Sequence, residues 1–137
     1  MKLDLVSFDA QLPAIRHVRT TVFTLEQGVD PAIDFDGLDA EAVHVLCTDN
    51  DQPVGTGRML DDGHIGRIAV LADYRAQGIG RLLMQTLIDT ARARHYDNVS
   101  LYAQVNAVPF YEKLGFKANG ENFTEAGIEH TPMELKL

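Results

Sequence analysis

Apolar residues change their spacing along the first third of the chain, and each spacing predicts a different element. Residues 2–8 alternate Leu3 and Leu5 with polar neighbours, which predicts a strand. Over residues 11–26 apolar side chains recur every three or four positions, which predicts a helix that Asp9 can cap. Residues 28–41 contain five acids and few apolar anchors, so we expect a loop with one short helical turn.

The middle of the chain holds three apolar segments that are separated by short polar turns. The segments are residues 42–48, 53–60 and 64–71, and turn-forming Asn, Asp and Gly residues lie between them. Because such short connections join antiparallel neighbours, we expect three antiparallel strands. Gly55 and Gly57 lie inside the middle segment, which indicates a bulge or a close approach of its backbone to another element.

The second half of the chain alternates strands with helices. Helical spacing runs from Gly78 to about Arg94 and joins the strand over 64–71 to an apolar run over 99–104, which predicts two parallel neighbouring strands. A helix over 106–114 and a closing hairpin of 116–120 and 128–137 follow. The predicted fold class is α+β, with a mixed, strongly twisted central sheet of six to seven strands and helices on both faces.

Length and composition favour a single domain over residues 1–137. A chain of 137 residues has room for one hydrophobic core, and 45% hydrophobic with 23% charged residues is ordinary for a globular protein. No apolar run approaches the ~20 residues of a membrane span, and the first residues lack the pattern of a signal peptide. We therefore expect a cytoplasmic protein without a membrane partner.

Several chemistries have no support in the sequence. The single Cys47 lies in an apolar strand, which indicates a buried thiol rather than a nucleophile. Cys-x-x-Cys, His-Glu-x-x-His and Gly-x-Ser-x-Gly motifs are absent, so no metal, redox centre or serine hydrolase site is expected. A formal net charge of −8 argues against nucleic acid as a partner.

The charged residues are distributed unevenly. Ten of the twenty acids lie within residues 26–62, where Arg58 is the only Lys or Arg, whereas residues 67–94 carry five arginines and two acids. An anionic cofactor near the second region and a cationic substrate near the first would fit this asymmetry. Solvated surface acid is the alternative for the first region.

A glycine-containing turn between strand and helix is the first candidate binding site. The first N–H groups of the helix that begins near Gly78 lack partners and lie at the positive end of the helix dipole. Gly78 and Gly80 leave this backbone open to a diphosphate, and Arg75 and Arg81 can add charged hydrogen bonds. The alternative is a loop-to-helix turn that needs a glycine at positive φ. The spacing fits neither a dinucleotide-binding fingerprint nor a P-loop.

Two motifs together resemble a known family. Arg75-x-x-Gly78-x-Gly80, placed between a strand and an amphipathic helix, is similar to the acyl-CoA motif of the GNAT superfamily of N-acyltransferases. Residues 106–116, Asn-Ala-Val-Pro-Phe-Tyr-Glu-Lys-Leu-Gly-Phe, resemble a later element of the same superfamily. The resemblance covers the chain well from about residue 54 onward and more loosely before it. It implies an N-acetyltransferase that moves an acetyl group from acetyl-CoA to a primary amine by direct attack in a ternary complex.

The resemblance also implies roles for individual residues. In the family, a backbone amide of the strand before the turn polarises the thioester carbonyl, and Val70 matches that position. The cofactor-binding set that the resemblance implies is Ile68, Ala69, Val70, Arg75, Ala76, Gln77, Gly78, Ile79, Gly80, Arg81 and Asn106. Tyr111 matches the general acid, which gives a proton to the leaving thiolate. The alternatives are a core strand for Ile68 and Val70, a helix N-cap for Asn106, and a core Tyr with its hydroxyl on a backbone carbonyl for Tyr111.

The general base and the acceptor amine are left open by the sequence. Five side chains are candidates for the base, namely Glu26, His44, His64, Glu125 and His130. His130 ranks first because residues 124–130 match the place where the family's final hairpin closes over the substrate, and because histidine titrates near neutral pH. The acceptor is a small amine or a peptide amine. A non-catalytic acyl-CoA-binding or sensing domain is the alternative function, and exposed strand edges allow a homodimer.

Overall fold

The computed structural model describes residues 1–137 and contains two four-stranded sheets and four α-helices. The first sheet has the order β1-β2-β3-β4, formed by β1 (Lys2–Val6), β2 (Val43–Asp49), β3 (Gln52–Met59) and β4 (Ile65–Val70). The second has the order β5-β8-β6 with β7 also paired to β8, and consists of β5 (Asn98–Gln104), β6 (Lys117–Ala118), β7 (Phe123–Glu125) and β8 (Ile128–Lys136). The helices are α1 (Leu12–Arg19), α2 (Pro31–Asp34), α3 (Ile79–Ala93) and α4 (Val108–Lys113).

The expectation of one mixed sheet of six to seven strands is wrong, because β4 and β5 separate. They share one parallel bridge, between His64 and Ser100, where the Ser100 N–H donates to the Gly63 carbonyl over 3.1 Å. Beyond this bridge β5 pairs along its whole length with β8, from Asn98 opposite Lys136 to Gln104 opposite His130. The two sheets are therefore antiparallel throughout, and a gap opens between the free edges of β4 and β5.

Helices cover both faces of the first sheet, as the sequence predicts. Ala69 of β4 packs with Val18 and Val22 beside α1, whereas its neighbours Ile68 and Val70 pack against the large core that includes the buried face of α3. Successive side chains of a strand point to opposite faces, so one strand contacts both helices. The large core contains sixteen buried residues from both sheets and α3, and its continuity holds the two sheets together below the gap.

The three predicted antiparallel strands β2, β3 and β4 are confirmed, and so is the irregularity near the two glycines of β3. The β3–β4 register shifts between Thr56 and Arg58, and a Cβ placed on Gly57 would lie 2.5 Å from Cδ1 of Ile68. On the opposing strand Arg67 has a φ of 54°, in the left-handed region. The bulge thus lies in the part of β4 that faces the gap.

The helix predicted over residues 11–26 changes its winding halfway. It is α-helical from Leu12 to Arg19 and continues as the π-helical segment Thr20–Glu26. The predicted cap is wrong, because Gln11 occupies the N-cap position and no side chain bonds to it. The short helical turn expected within residues 28–41 is α2, whose Asp30 accepts a hydrogen bond from the Ala32 N–H over 2.9 Å.

Two further expectations concern the closing strands and the membrane. β8 pairs with β6 as the predicted hairpin requires, and the connecting residues form the additional strand β7. None of the helices combines the length and the apolar composition that a membrane span requires. Cys47 of β2 is buried, and burial raises the pKa of its thiol.

Candidate active site

A cavity of about 370 Å³ occupies the gap between the two sheets. One wall is the free edge of β4, from Ile65 to Ile68, and the facing wall is β5 with Leu101, Tyr102 and Gln104. The rim combines residues that follow α1 with the β7–β8 hairpin and α4; these are Phe23, Gln27, Val29, Ile33, Asp34, Asp36, Ala107, Tyr111, Glu125, Ala126, Ile128 and His130. The separation of β4 and β5 is thus what creates the site.

The backbone of Val70 faces this gap. The Leu71 N–H donates to the Val54 carbonyl over 2.9 Å, so the backbone N–H of Leu71 points toward β3. Inward and outward groups alternate along an antiparallel ladder, and the N–H and carbonyl of Val70 therefore point away from β3. The carbonyl accepts from Nε of Arg75 over 2.9 Å. Ala69, by contrast, lies opposite Thr56 in the ladder and has a buried side chain on the α1 face.

The glycine turn leaves the start of α3 open. Gly78 is the N-cap of α3 with a φ of 84°, and no side chain caps the helix. A Cβ at Gly78 would meet nothing within 4 Å, and one at Gly80 would make only ordinary contact with the Phe110 ring at 3.5 Å. The first bond within the helix runs from the Leu82 N–H to the Gly78 carbonyl, so the amides of Ile79, Gly80 and Arg81 have no acceptor inside the helix.

The arginines of this turn differ in their surroundings. Arg75 donates from Nε to Val70 and from Nη2 to Glu26 over 2.9 Å, and it thereby joins the end of the π-helical segment to the turn. Arg81 is exposed and forms no ion pair with the protein. Ala76 and Gln77 are exposed beside them, and Ala76 has a φ of 61°. Positive charge is therefore present at the open start of α3. Arg75 is paired with Glu26, whereas Arg81 has no ion-pair partner in the protein.

Asn106 lies in the 3-10 turn Val105–Ala107 that precedes α4. The N-cap of α4 is Ala107, with no capping side-chain hydrogen bond, so the alternative of Asn106 as a helix N-cap is not what the structure shows. Its side chain is exposed near the carboxyl end of β5. Asn106 therefore lies at the cavity end where β5 passes into α4, and it does not line the cavity itself.

Tyr111 projects from α4 into the cavity wall. Its ring packs edge-on against Phe110 and Phe116, with centroids 5.0 and 6.1 Å away. Burial raises its pKa to about 12, and no hydrogen bond contributes to that shift. The alternative of a hydroxyl held by a backbone carbonyl is therefore not observed. Tyr111 is a protonated phenol beside the cavity, and its hydroxyl forms no hydrogen bond with the protein.

His130 lines the same cavity from β8 of the second sheet. Its Nδ1 lies 2.8 Å from the carbonyl oxygen of Ile128. A carbonyl only accepts, so Nδ1 donates this bond, and Nε2 is the ring nitrogen that is left to accept a proton. The Phe123 ring stacks on the imidazole at 5.6 Å with an interplanar angle of 18° and fixes its orientation. This geometry suits a general base.

The structure separates the other base candidates into two groups. His64 and Glu125 line the cavity; Nδ1 of His64 lies 3.1 Å from Oγ of Ser100, and burial lowers the pKa of His64. His44 is buried away from the cavity, with Nε2 2.8 Å from the Asp39 carbonyl. Glu26 is paired with Arg75 outside the cavity lining. Three candidates, including His130, therefore share a site with Tyr111.

A closed ring of six charged side chains, three of which line the cavity, lies at the end of the cavity near α2, and the sequence analysis missed it. In order around the ring the members are Arg19, Asp34, Arg67, Asp36, Arg58 and Asp39, with N···O distances between 2.7 and 3.2 Å. Each carboxylate contacts two guanidinium groups and each guanidinium contacts two carboxylates. The Arg58 hydrogen bond holds the pKa of Asp36 well below its usual range.

The acids of residues 26–62 are thus in part internal ion-pair partners rather than surface charge. A signal for the ring was present in the sequence, since Arg19 directly follows Val18 and is four residues from Ile15 on the apolar face of α1. An arginine on such a face is buried only when carboxylates satisfy it. The sequence did not show which carboxylates pair with Arg19, because Asp34 and Asp39 lie fifteen and twenty residues further along the chain.

Comparisons with known proteins agree with this geometry. The model of the acetyltransferase (GNAT) domain family matches residues 20–137. The uncharacterized N-acetyltransferase YjcF of Bacillus subtilis (strain 168) is 36% identical over 97% of this chain and 98% of its own length. An acyl-CoA N-acyltransferase from Pseudomonas aeruginosa has a TM-score of 0.86 at 28% identity, covering 98% of this chain and 99% of its own. An aminoglycoside 6'-N-acetyltransferase complexed with coenzyme A shares the fold, with a TM-score of 0.79 at 15% identity over 99% and 97% of the chains.

Proposed function

Because the chain belongs to the GNAT acetyltransferase domain family and is an acetyl-CoA-dependent acyltransferase, we propose that it acetylates a primary amine by direct attack in a ternary complex. One observation carries the proposal. Tyr111 of α4 and His130 of β8 both line the same cavity, the first as a protonated acid and the second with Nε2 free of hydrogen bonds to the protein. This is the pair that acyl transfer from a thioester to an amine requires.

The start of α3 fits the diphosphate of acetyl-CoA. A Cβ at Gly80 would make an ordinary van der Waals contact with the Phe110 ring, so packing does not require a glycine at this position. A glycine inside a helix costs about 1 kcal/mol relative to alanine, and an approaching phosphate accounts for keeping it. The amides of Ile79, Gly80 and Arg81 and the Arg81 guanidinium would hold the diphosphate. The positive φ of Gly78 is explained by the turn itself.

The free edge of β4 suits the pantetheine arm. The N–H of Val70 points into the gap, so it would donate to the thioester carbonyl and stabilise the negative charge that develops there. Ile68 lines the cavity and would contact the arm. Arg75 anchors the carbonyl of Val70 and positions this strand end, and Asn106 would bond to the arm where β5 passes into α4. Ala69 contributes less, because its side chain faces α1.

The protons move between two side chains of the protein. Nε2 of His130 takes a proton from the amine as the new C–N bond forms. The C–S bond breaks, and the Tyr111 hydroxyl gives its proton to the departing sulfur. A pKa of about 12 keeps Tyr111 protonated until that moment, since it cannot lose its proton to water near neutral pH. Solvent then returns the proton from His130 to Tyr111.

The test is thiol release from acetyl-CoA with a panel of primary amines, using the wild-type protein and Tyr111→Phe. Removing a general acid lowers turnover roughly 10²- to 10⁴-fold. We expect Tyr111→Phe to show that loss with an unchanged dissociation constant for acetyl-CoA in calorimetry. Unchanged turnover would remove the acid role. Acetyl-CoA binding without thiol release for any amine would favour the alternative, a non-catalytic acyl-CoA-binding or sensing domain.

Three further points stay predictions. A small amine or a peptide amine is the proposed acceptor, the whole chain is proposed to act as one domain, and the cytoplasm is the proposed location. A homodimer is also compatible with the free strand edges, such as that of β1 in the first sheet. Size-exclusion chromatography with light scattering would measure the oligomeric state directly.

A further inference from the structure

The acids at the α2 end of the cavity are not available to a cationic ligand. Each oxygen of Asp36 already accepts two hydrogen bonds, Oδ1 from Arg58 and the Leu38 N–H, and Oδ2 from Arg58 and Arg67. Asp34 directs Oδ1 to Arg19 and Arg67, and its Oδ2 is buried and accepts no hydrogen bond. Three of the ten acids that suggested a cationic substrate, Asp34, Asp36 and Asp39, are therefore engaged in the ring.

Among the three arginines of the ring, Arg67 is the one that lines the cavity, and it has hydrogen-bonding capacity left. Its Nε donates to the Asp34 carbonyl over 3.1 Å, and its Nη2 donates to the Ile33 carbonyl and to Asp36. Its Nη1 contacts no protein acceptor. The side chain is 27% exposed and lines the cavity, whereas the side chains of Arg19 and Arg58 are 1% and 5% exposed and do not line it.

The guanidinium of Arg67 is also held in a fixed orientation. Three acceptors on residues 33–36 bind the Nε and Nη2 edge of the planar group, and the backbone of Arg67 is left-handed, with a φ of 54°. A residue other than glycine keeps such a conformation only where the surroundings impose it. The result is an oriented donor that is preorganised for a planar anion.

We propose that Arg67 binds a carboxylate of the acceptor through Nη1, so that the acceptor is an amino acid or another amine that carries a carboxylate. The inference rests on the proposed function and names its substrate class. Arg67 belongs to the first sheet and His130 to the second, so a carboxylate on Arg67 and an amine at His130 span the cavity. Glu125, exposed on the hairpin that carries His130, complements the cationic end of such a zwitterion.

Matched pairs of acceptors test this with the wild-type protein. Phenylalanine is compared with phenethylamine, lysine with cadaverine, and alanine with ethylamine, by thiol release from acetyl-CoA. A hydrogen bond to a charged group predicts roughly a ten- to hundredfold higher kcat/KM for the carboxylate-bearing member of the preferred pair. Equal or faster reaction of the amine that lacks the carboxylate overturns the inference.

Two variants assign the preference to Arg67. Arg67→Gln should abolish the discrimination between pair members, and Arg67→Lys, which retains a cation within the ring, should keep part of it. Circular dichroism tests whether both variants are folded. If Arg67→Gln does not fold, the matched acceptor pairs measured with the wild-type protein decide whether the acceptor carries a carboxylate. Discrimination that persists in a folded Arg67→Gln protein overturns the assignment.

A binding measurement separates this inference from the proposed function. N-acetylated forms of the twenty amino acids and the matching N-acetylated amines are titrated into the protein with coenzyme A present. Binding that requires the carboxylate and is lost in Arg67→Gln supports the contact, even if no amine is acetylated and the proposed function fails. Carboxylate-independent binding, or no binding of any member, overturns the contact even if amines are acetylated.

Discussion

Nη2 of Arg19 lies 2.9 Å from Oδ1 of Asp34, and both side chains are only 1% exposed. The pair connects α1 to α2 at one end of the cavity, and the Phe35 ring covers the guanidinium at 4.4 Å. A buried charge is tolerated only when other groups satisfy it, and removing one partner leaves the other uncompensated. The position of the cavity wall near α2 thus depends on a buried charge pair, of which Asp34 lines the cavity.

The first prediction concerns the stability that this pair contributes. Arg19→Met should lower the free energy of unfolding by about 3–5 kcal/mol, because Asp34 and Asp39 would stay buried with fewer partners. Urea denaturation measures the change. Arg92→Met is the matched control, since Arg92 forms an exposed pair with Asp89 at 3.6 Å and should cost less than about 1 kcal/mol. Similar losses for both variants would contradict the role of the buried ring.

The second prediction concerns the open start of α3. Gly80→Trp should abolish acetyl-CoA binding in calorimetry, because an indole would cover the amides proposed to hold the diphosphate. Gly80→Ala is the control, since its Cβ makes only ordinary contact with Phe110, and it should retain measurable binding. Circular dichroism should show that both proteins are folded. Undiminished affinity of a folded Gly80→Trp protein would rule out the proposed diphosphate site.

The third prediction concerns the general base. His130→Gln should lower turnover roughly 10²- to 10⁴-fold, because the amide cannot accept the proton of the amine, while acetyl-CoA affinity stays the same. Steady-state kinetics and calorimetry measure the two quantities separately. His17→Gln, at an exposed position on α1 outside the cavity lining, should behave as wild type. Turnover within about twofold of wild type for His130→Gln would redirect attention to His64 and Glu125.

The fourth prediction concerns the pH dependence of stability. Burial lowers the pKa of His44 and of His64 in the folded protein, so the unfolded chain binds protons more readily near the ordinary value of 6.5. The contribution of these two histidines to the free energy of unfolding should therefore be complete above about pH 6.5. The free energy of unfolding should decrease as the pH falls below that value. Urea midpoints at pH 8, 6.5 and 5 measure this trend.

His44→Gln supplies the control for that trend. Glutamine does not titrate, and its amide can still donate to the Asp39 carbonyl that Nε2 of His44 contacts. The variant should lose less stability between pH 6.5 and 5 than the wild-type protein does. An identical decrease in both proteins would show that His44 is not the source.

The sequence by itself determined the elements and the family. Strands β2 to β4, α3 and the glycine turn before it were predictable because hydrophobic spacing and turn chemistry act over a few residues. The family followed from two short motifs, and the comparisons confirm it. The buried state of Cys47 was predictable for the same local reason.

The tertiary structure alone decided how those elements meet. A helix between β4 and β5 indicates that the two strands run in the same direction but not that they pair. β5 instead pairs with β8 at seven positions, and the paired residues are 26 to 38 positions apart in the sequence. The charged ring, and the cavity that Tyr111 and His130 both line, likewise bring together residues from separate segments of the chain. Local propensity carries no information about such contacts, because their free energy exists only once distant segments have packed together.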